Sequence, residues 1–399
     1  MGAYTAFQSR NYRLLLAANT LSHIATQMLG VVVAWDLYQT AHSPVVLGNV
    51  GLVQIIPVFL VTFAAGHYAD RYDRSRIAVL TQSVAVLVGF LLAFAGSGRG
   101  VVLIYAALFF TGAVRGFQWP VASALMPQTV PPEALTNAIS WNGAGREFAT
   151  VGGPAAAGLM LAAFGSEAVY FAQAACSLTA VACFWAMRVP KVERGEQQTG
   201  GWRTMSEGIR FVWCDKVILS AISLDLLAVF FGGATALLPI FADDILHVGA
   251  TGLGWLRAAP AVGAGLMSLY LAHHSHIKHA GLVLLISVAA FGLATVGFAT
   301  ATVVGLSFSM LFLLGLFDSV SVVLRLSLVQ MRTPDALRGR VAAVNGLFIA
   351  CSNQWGAVES GYAAKWLGTV PSVIWGGVAT IGVVGLLWAV SPSLRRWKQ

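Results

Sequence analysis

The chain has 399 residues, of which 57% are hydrophobic and only 10% are charged, whereas an ordinary soluble domain has about 25% charged residues. This composition excludes a large water-soluble domain and predicts an integral membrane protein. The formal net charge of +8 does not indicate a nucleic-acid-binding protein, because the basic residues are scattered along the chain instead of gathered on one segment. The four cysteines are far apart without a Cys-x-x-Cys pair, so they predict neither a redox centre nor a metal site.

Apolar runs long enough to cross a bilayer recur along the whole chain. We place them at about residues 14–38, 45–66, 77–96, 101–122, 137–162, 167–187, 217–241, 250–272, 281–300, 302–328, 341–367 and 372–391. The predicted fold is therefore all-α, with twelve transmembrane helices in two six-helix halves. The predicted domains are an N-terminal bundle over residues 1–187, a cytoplasmic linker over residues 188–216 and a C-terminal bundle over residues 217–399.

The distribution of positive charge predicts the orientation in the membrane. Of the 24 Lys and Arg residues, eighteen fall on the side that holds both termini, two (Arg99 and Lys365) fall on the other side, and four lie within spans. Because cytoplasmic loops carry the excess of Lys and Arg, we expect both termini in the cytoplasm.

The loop between the second and third spans is the most highly charged segment of the chain. It contains Gly66, Asp70, Arg71, Arg74 and Arg76, and its arginines predict a cytoplasmic turn. The spacing Gly-x-x-x-Asp-Arg-x-x-Arg-x-Arg resembles the loop between helices 2 and 3 of major facilitator transporters. The arginines also fit a simpler interpretation as topology anchors.

Three further segments strengthen this resemblance. The fifth span contains Gly153–Pro154 followed by Gly158, which is similar to a motif of the superfamily's antiporters, although small residues there also fit simple close packing of helices. The segments Gly116–Pro120 with Leu125–Pro131, and Leu337–Val341, resemble the enterobactin-exporter-like branch, which also contains macrolide and multidrug efflux proteins. The resemblance implies the major facilitator fold, with its two halves related by pseudo-symmetry.

The resemblance also implies a conformational role for the charged loop. In this family the aspartate of the loop holds the inner ends of helices together when the transporter faces outward, so Asp70 is expected near the start of the eleventh span and near Arg340. The residues expected in the conformational motifs are Gly66, Asp70, Arg71, Arg74, Arg76, Arg340, Gly153 and Pro154.

Charged side chains inside spans are costly and usually face a cavity or a partner. The candidates for proton coupling or for a polar cavity are Glu147, Asp225, Glu359, Asp318, Arg115, Arg146 and Arg325. Glu147, Asp225 and Glu359 are favoured for coupling, and Arg115 is the expected partner of Glu147. Asp318 and Arg325 lie seven residues apart on one helix face and are expected to bracket a polar groove. Permanent structural ion pairs are the alternative for each carboxylate.

Uncharged polar residues in the first and eleventh spans predict the substrate cavity. The candidates are Asn19, His23, Gln27, Asn345 and Asn353. A separate cluster, His273–His279, contains four of the eight histidines. It favours a pH-responsive loop over a metal site, because no carboxylate or cysteine accompanies it.

The polar stretch between the halves contains Trp202, Met205, Ile209 and Val212 at helical spacing. This pattern predicts an amphipathic helix on the inner leaflet, and a solvated linker is the alternative.

Together these features predict a proton-coupled secondary active exporter of an amphipathic small molecule, either a siderophore or a drug-like compound. An importer or lipid-flipping transporter on the same scaffold, or a membrane receptor or enzyme without transport, are the alternatives. An enzyme is not favoured, because the spans contain no metal set or nucleophile constellation. The expected partners are the substrate, protons and membrane lipids, without nucleic acid or cofactor. We expect a functional monomer in a bacterial inner membrane.

Overall fold

The computed structural model of the chain describes residues 4–71, 73–96, 99–188, 202–273, 277–334 and 337–397. Within these ranges, the side chains of residues 59, 62–71, 118–120, 122–124, 202–205 and 343 are not described. All regular structure in the described ranges is helical.

Besides short helical turns of three to five residues, the described residues form one amphipathic helix of 13 residues and eleven longer helices. The helices are α1 (Arg10–Ala41), α2 (Pro44–Arg71), α3 (Arg74–Phe94), α4 (Val101–Leu125), α5 (Leu135–Ala186), α6 (Trp202–Cys214), α7 (Lys216–Phe231), α8 (Gly249–His273), α9 (Ala280–Thr300), α10 (Val304–Arg332), α11 (Arg338–Leu367) and α12 (Thr369–Val390).

Helix α5 is broken at Gly165, whose φ of 79° and ψ of 178° are accessible to glycine and strained for other residues. The break divides α5 into α5a (residues 135–164) and α5b (residues 166–186). With its preceding turn the segment has 55 residues, or about 80 Å at 1.5 Å per residue, far more than the roughly 30 Å of one hydrocarbon core. Gly165 therefore separates two membrane crossings, which brings the long helical segments of the described residues to twelve.

Seven helices among the described residues are long and apolar enough to cross a membrane by length and composition alone. Two shorter apolar segments accompany them, Pro44–Val58 of α2 and Val101–Phe117 of α4. Helix α11 carries Asn345, Asn353 and Glu359, and these polar residues lower its hydropathy. A helix can still lie in the membrane with such residues when they face other helices instead of lipid.

The helix ends are stabilised by side chains where the sequence supplies an acceptor. The Asp73 carboxylate accepts a hydrogen bond from the Ser75 backbone N–H at 2.9 Å and caps α3. The Asp215 carboxylate does the same for α7, accepting from the N–H groups of Val217 and Ile218. Such caps satisfy backbone donors that a helix start leaves unpaired.

The chain divides into two compact units. Unit 1 consists of Met1–His42, Leu52–Glu193 and Val248–Ala258, and unit 2 consists of Ser43–Gly51, Arg194–His247 and Ala259–Gln399. The units therefore do not follow chain order strictly, because α2 and α8 each contribute residues to both.

Each unit has its own buried apolar core. In unit 1, Tyr12 is buried in a cluster with residues of α1, α3 and α5, and its hydroxyl donates to the Ala138 carbonyl at 2.8 Å. In unit 2, the core includes Val212 of α6, which is 1% exposed. Helix α6 occupies the segment predicted to be amphipathic, and it packs its apolar side on the core of unit 2.

Candidate functional site

Unit 1 contains a cavity of about 120 Å3. The walls come from α1, α2, α3, α4, α5b and the first part of α8, and all of the lining residues belong to unit 1. The polar lining residues are Thr26, Gln27, Gln54, Gln82, Thr111, Arg115, Gln173, Ser177 and Arg257. Nine polar side chains around one small cavity between apolar helices make it a candidate ligand site, because such groups can orient a bound molecule.

The two arginines of the cavity are held by neutral groups. Nη1 of Arg115 donates to Oε1 of Gln54 at 3.0 Å, and Nη1 of Arg257 donates to the Gly30 carbonyl at 2.9 Å. Among the described side chains, no carboxylate lies within ion-pair distance of either guanidinium group. The cavity thus has two positive charges that the described residues do not neutralise.

Gln173 is 1% exposed and only partly satisfied. Its Nε2 donates to the Ala85 carbonyl at 3.3 Å and to the Ser177 hydroxyl at 3.1 Å. Its Oε1 has no hydrogen-bond partner in the described part of the chain. Because an unpaired buried carbonyl costs about 1–3 kcal/mol, this oxygen is a candidate acceptor for a ligand or a water molecule.

The structure separates the predicted cavity residues of α1. Gln27 lines the cavity. His23 lies one turn earlier and within the electrostatic reach of Arg115 and Arg146. Asn19 instead donates to the Asn142 side chain at 3.0 Å, so it connects α1 to α5a and is not among the lining residues.

A second polar cluster lies in unit 2. Arg325 is 2% exposed, its Nη2 lies 3.1 Å from Oδ2 of Asp225, and its Nη1 donates to Oδ1 of Asn345 at 2.6 Å. Its Nε has no partner among the described residues. The guanidinium group therefore connects α7, α10 and α11 in the interior of unit 2.

Asp318 belongs to the same cluster. It lies on α10, seven residues before Arg325, and interacts electrostatically with both Asp225 and Arg325. No ion pair or side-chain hydrogen bond to its carboxylate is present among the described residues. The cluster thus places two carboxylates near one guanidinium group. Asn345, predicted to line the substrate cavity, is instead buried against Arg325.

The other two predicted carboxylates, Glu147 and Glu359, lie outside the buried cluster around Arg325. The Glu147 carboxylate lies 3.8 Å from Arg146, and both side chains are about half exposed. The predicted pair of Glu147 with Arg115 is therefore wrong, because the flexible neighbouring side chains bend towards each other and Arg115 bonds Gln54. Glu359 accepts a hydrogen bond from the adjacent Ser360 at 3.4 Å.

Asn353 does not take part in either polar site. Its Nδ2 donates to the Ile349 carbonyl of its own helix at 2.9 Å.

The residues of the conformational motifs are only partly described. The side chains of Gly66, Asp70 and Arg71 lie outside the described residues, so the Asp70 contact stays a prediction. Arg340 forms an ion pair with Glu207 of α6. Arg76 is exposed at the start of α3, whereas Arg74, two residues earlier, is half-buried.

The predicted antiporter-like motif forms close helix contacts inside unit 1. A Cβ atom on Gly158 would lie 2.7 Å from the Gly254 Cα atom, and one on Gly153 would lie 2.7 Å from the Gln27 Cβ atom. Pro154 lies between them, within α5a. Small residues here permit backbone-to-backbone approach, as expected at membrane helix contacts.

A partly buried ion network near the break in α5 was not predicted. Arg99 lies 3.1 Å from Asp36 and 2.9 Å from Glu167, donates to the Leu92 carbonyl at 3.1 Å, and lies over the Tyr170 ring at 5.1 Å. The sequence signal was present, because Arg99 is one of only two basic residues predicted on its side of the membrane. The network joins α1, the end of α3 and α5b.

Three cavity glutamines were also missed in the sequence. Gln54, Gln82 and Gln173 are single amides in otherwise apolar runs. Such isolated amides are the signal that could have identified them, since a polar side chain inside a span usually faces the protein interior.

The described residues contain no group of three or more His, Cys, Asp or Glu residues that could hold a metal ion. His274–His276 of the predicted histidine cluster lie outside the described ranges. His273 bonds the Leu269 carbonyl at 2.8 Å through Nδ1.

Comparison with known proteins finds relatives whose sequences align with most of the chain. The profile described as Major Facilitator Superfamily matches residues 15–358. The chain is 26% identical over 319 residues to the staphyloferrin A transporter of Staphylococcus aureus (strain NCTC 8325 / PS 47), with 78% of the chain and 79% of that protein aligned. It is 24% identical over 394 residues to the enterobactin exporter EntS of Shigella boydii serotype 4 (strain Sb227), with 97% of the chain and 93% of the exporter aligned.

Solved structures show the same fold at low sequence identity. A bacterial homologue of the human lysosomal transporter Spinster, inward-facing and unoccupied, matches with a TM-score of 0.74 at 14% identity, covering 96% of this chain and 95% of the homologue. A mutant of the nucleoside transporter NupG matches with a TM-score of 0.76 at 12% identity, covering 96% of this chain and 100% of NupG. The chain therefore has the predicted twelve-helix fold in two six-helix halves.

Proposed function

We propose a function for a chain that belongs to the Major Facilitator Superfamily: it exports a small molecule of the siderophore class from the cytoplasm in exchange for protons. Family membership makes the chain a small-molecule transporter of the membrane and not an enzyme. The substrate class, the direction and the coupling ion are parts of the proposal.

One observation carries the substrate and the direction. The alignment with the enterobactin exporter extends over 97% of this chain and 93% of that protein, so it includes both halves and every element of the two polar sites. The staphyloferrin A transporter supports the same substrate class without indicating a direction. Fold alone would support neither, because one scaffold serves many substrates.

The polar cluster in unit 2 supports proton coupling. Asp225 and Asp318 share the single positive charge of Arg325, so one negative charge is in excess when both carboxylates are ionised. An excess charge inside a membrane protein is costly, and one bound proton removes it. We propose that Asp318 binds and releases this proton, while Asp225 stays paired with Arg325 at 3.1 Å.

Glu147 and Glu359 are weaker coupling candidates. Glu147 is half exposed beside Arg146, so solvent and a neighbouring cation already compensate its charge. Glu359 has a single weak hydrogen bond to Ser360 and no nearby described cation. We retain both for testing after Asp318.

The transport cycle would be alternating access, in which the halves expose the substrate to each side of the membrane in turn. We place both termini in the cytoplasm, on the strength of the eighteen-to-two distribution of Lys and Arg. In this scheme the charged loop with Asp70 stabilises one conformation, and the functional unit is a monomer in a bacterial inner membrane.

Reconstituted protein tests the proposal. The purified chain is inserted into liposomes that contain a pH-sensitive dye and an acidic lumen, and either enterobactin or staphyloferrin A is added outside. The expected result is uptake against a concentration gradient, accompanied by a rise in lumenal pH. Uptake without a pH change would refute proton exchange, and no uptake under a proton gradient of either direction would refute the substrate class.

The coupling residue is tested in the same liposomes. Asp318→Asn should abolish uphill uptake and keep downhill exchange of substrate, because a neutral amide mimics a permanently protonated carboxyl group. The matched control is Glu133→Gln, which neutralises an exposed carboxylate and should leave uphill uptake unchanged. Normal uphill uptake by Asp318→Asn would exclude Asp318 as the proton carrier.

A further inference from the structure

The side chains that line the cavity in unit 1 carry positive charge only. Its lining contains two arginines and no Asp or Glu. The other polar lining groups are amides and hydroxyls, which are neutral. Arg115 is exposed to the open space at the cavity and Arg257 is partly buried. A positive charge within a span that lacks a counter-charge is costly, so the cavity is complementary to an anion.

The free donors of the two guanidinium groups are suited to a carboxylate. Each guanidinium has five N–H donors, and the described hydrogen bonds use one donor of Arg115, to Gln54, and one of Arg257, to the Gly30 carbonyl. Planar guanidinium groups bind carboxylates through two parallel hydrogen bonds. The glutamines at 27, 54, 82 and 173 supply further amide donors and acceptors around the same space.

The surroundings of the cavity strengthen its positive character. Arg115 and Arg146 both act electrostatically on His23, one turn from the lining residue Gln27. Arg146 is compensated by Glu147 at 3.8 Å, whereas Arg115 has no such partner among the described side chains. The uncompensated charge is therefore concentrated at the cavity itself.

We propose that this cavity binds a carboxylate group of the transported molecule between Arg115 and Arg257, so that the protein selects anionic substrates and rejects cationic ones. The proposal rests on the proposed transport of siderophores and specifies their chemistry. At about 120 Å3 the cavity is smaller than the roughly 300–1,000 Å3 of pockets for drug-sized ligands, so it holds an anionic head group and not a whole siderophore.

Equilibrium binding tests the site separately from transport. Isothermal titration of the full-length protein in lipid nanodiscs uses citrate as a tricarboxylate probe and tetraphenylphosphonium as a lipophilic cation of opposite charge. Wild-type protein should bind citrate and not the phosphonium ion. Inorganic phosphate, titrated in parallel, distinguishes carboxylate selectivity from general oxyanion binding, and tighter binding of phosphate than of citrate would overturn the carboxylate assignment.

Variants locate the probe in the cavity. Arg115→Gln and Arg257→Gln should each weaken citrate binding about tenfold or more, as expected for lost charge-assisted hydrogen bonds. The control Arg146→Gln removes a nearby arginine that does not line the cavity and should change the affinity less than about twofold. Unchanged citrate affinity in both cavity variants would overturn the proposal.

A glycine variant keeps the test valid if a glutamine variant fails to fold. A Cβ atom on Gly30 would lie 3.1 Å from Nη2 of Arg257, so Gly30→Ala shifts the guanidinium group by a few tenths of an ångström without removing its charge. It should weaken citrate binding, and unchanged binding would count against the site.

The outcomes for the two proposals are distinguishable. Citrate binding that depends on the arginines, combined with no transport of either siderophore, would support the anion site and refute the proposed function. Proton-coupled transport of a siderophore, combined with no citrate binding or with phosphonium binding, would support the function and overturn the anion site.

Discussion

Asp225 and Arg325 form a buried pair, and we predict that replacing one residue destabilises the protein more than replacing the other. Replacement of Arg325 by Met leaves Asp225 and Asp318 close together without a positive charge, and it also removes the hydrogen bond to Asn345. Replacement of Asp225 by Asn leaves Arg325 beside Asp318, which can still compensate it. We therefore expect Arg325→Met to destabilise the protein more than Asp225→Asn.

The structure sets the expected magnitudes. The Arg325 and Asp225 side chains are 2% and 10% exposed, and their charged atoms lie 3.1 Å apart. Loss of one partner of such a buried pair costs about 3–5 kcal/mol, which is the expected effect of Arg325→Met. Asp225→Asn should cost about 1–3 kcal/mol, as for the loss of a hydrogen bond to a charged group.

Unfolding measurements on the two single variants and the double variant give the coupling energy of the pair. Reversible unfolding in mixed micelles, followed by tryptophan fluorescence, provides each free energy of unfolding. The matched control is the pair of Arg332 with Asp215, which lies at 2.9 Å but has an Arg side chain that is 40% exposed. Solvent-exposed pairs couple by about 0–1 kcal/mol, whereas the buried pair should couple more strongly.

Two results would refute this reasoning. Equal coupling energies for the buried and the exposed pair would mean that burial does not strengthen the interaction. A larger loss from Asp225→Asn than from Arg325→Met would mean that Asp318 does not compensate Arg325, and would weaken the proposed proton site.

Two further predictions concern other parts of unit 1. Arg99→Gln should destabilise the protein by about 3 kcal/mol, because the buried Asp36 loses its cation. Arg99→Lys keeps the positive charge and should lose less stability. Equal melting temperatures for wild type and Arg99→Gln would contradict a stabilising role of the network. Gly158→Ala should lower the melting temperature, because the added methyl group would lie 2.7 Å from the Gly254 Cα atom. Gly265→Ala is the matched control, with no atom within 4 Å of the added Cβ, and it should raise stability by up to about 1 kcal/mol, since alanine favours helix more than glycine does. Stabilisation by both glycine substitutions would contradict the close contact.

Several features of the candidate sites could be predicted because they depend on single residues. A charged residue in an apolar run is visible in the sequence, and Asp225, Asp318, Arg325 and Arg115 were identified in this way. Their partners were not. Asp225 and Arg325 are 100 positions apart in the chain, and no local pattern connects them. The prediction that joined Glu147 to Arg115 failed for the same reason.

The sequence by itself determined the class of protein, the number of membrane helices and the family. These properties follow from hydropathy, charge and short motifs, which are local, and the long apolar runs allow few other structures in a bilayer. The tertiary structure decided which polar residues share a site: it placed four glutamines and two arginines around one cavity, and it buried Asn345 against Arg325. The physical reason is that membrane helices are apolar on most faces, so their periodicity does not indicate which face is turned inwards, and packing between helices sets their rotation.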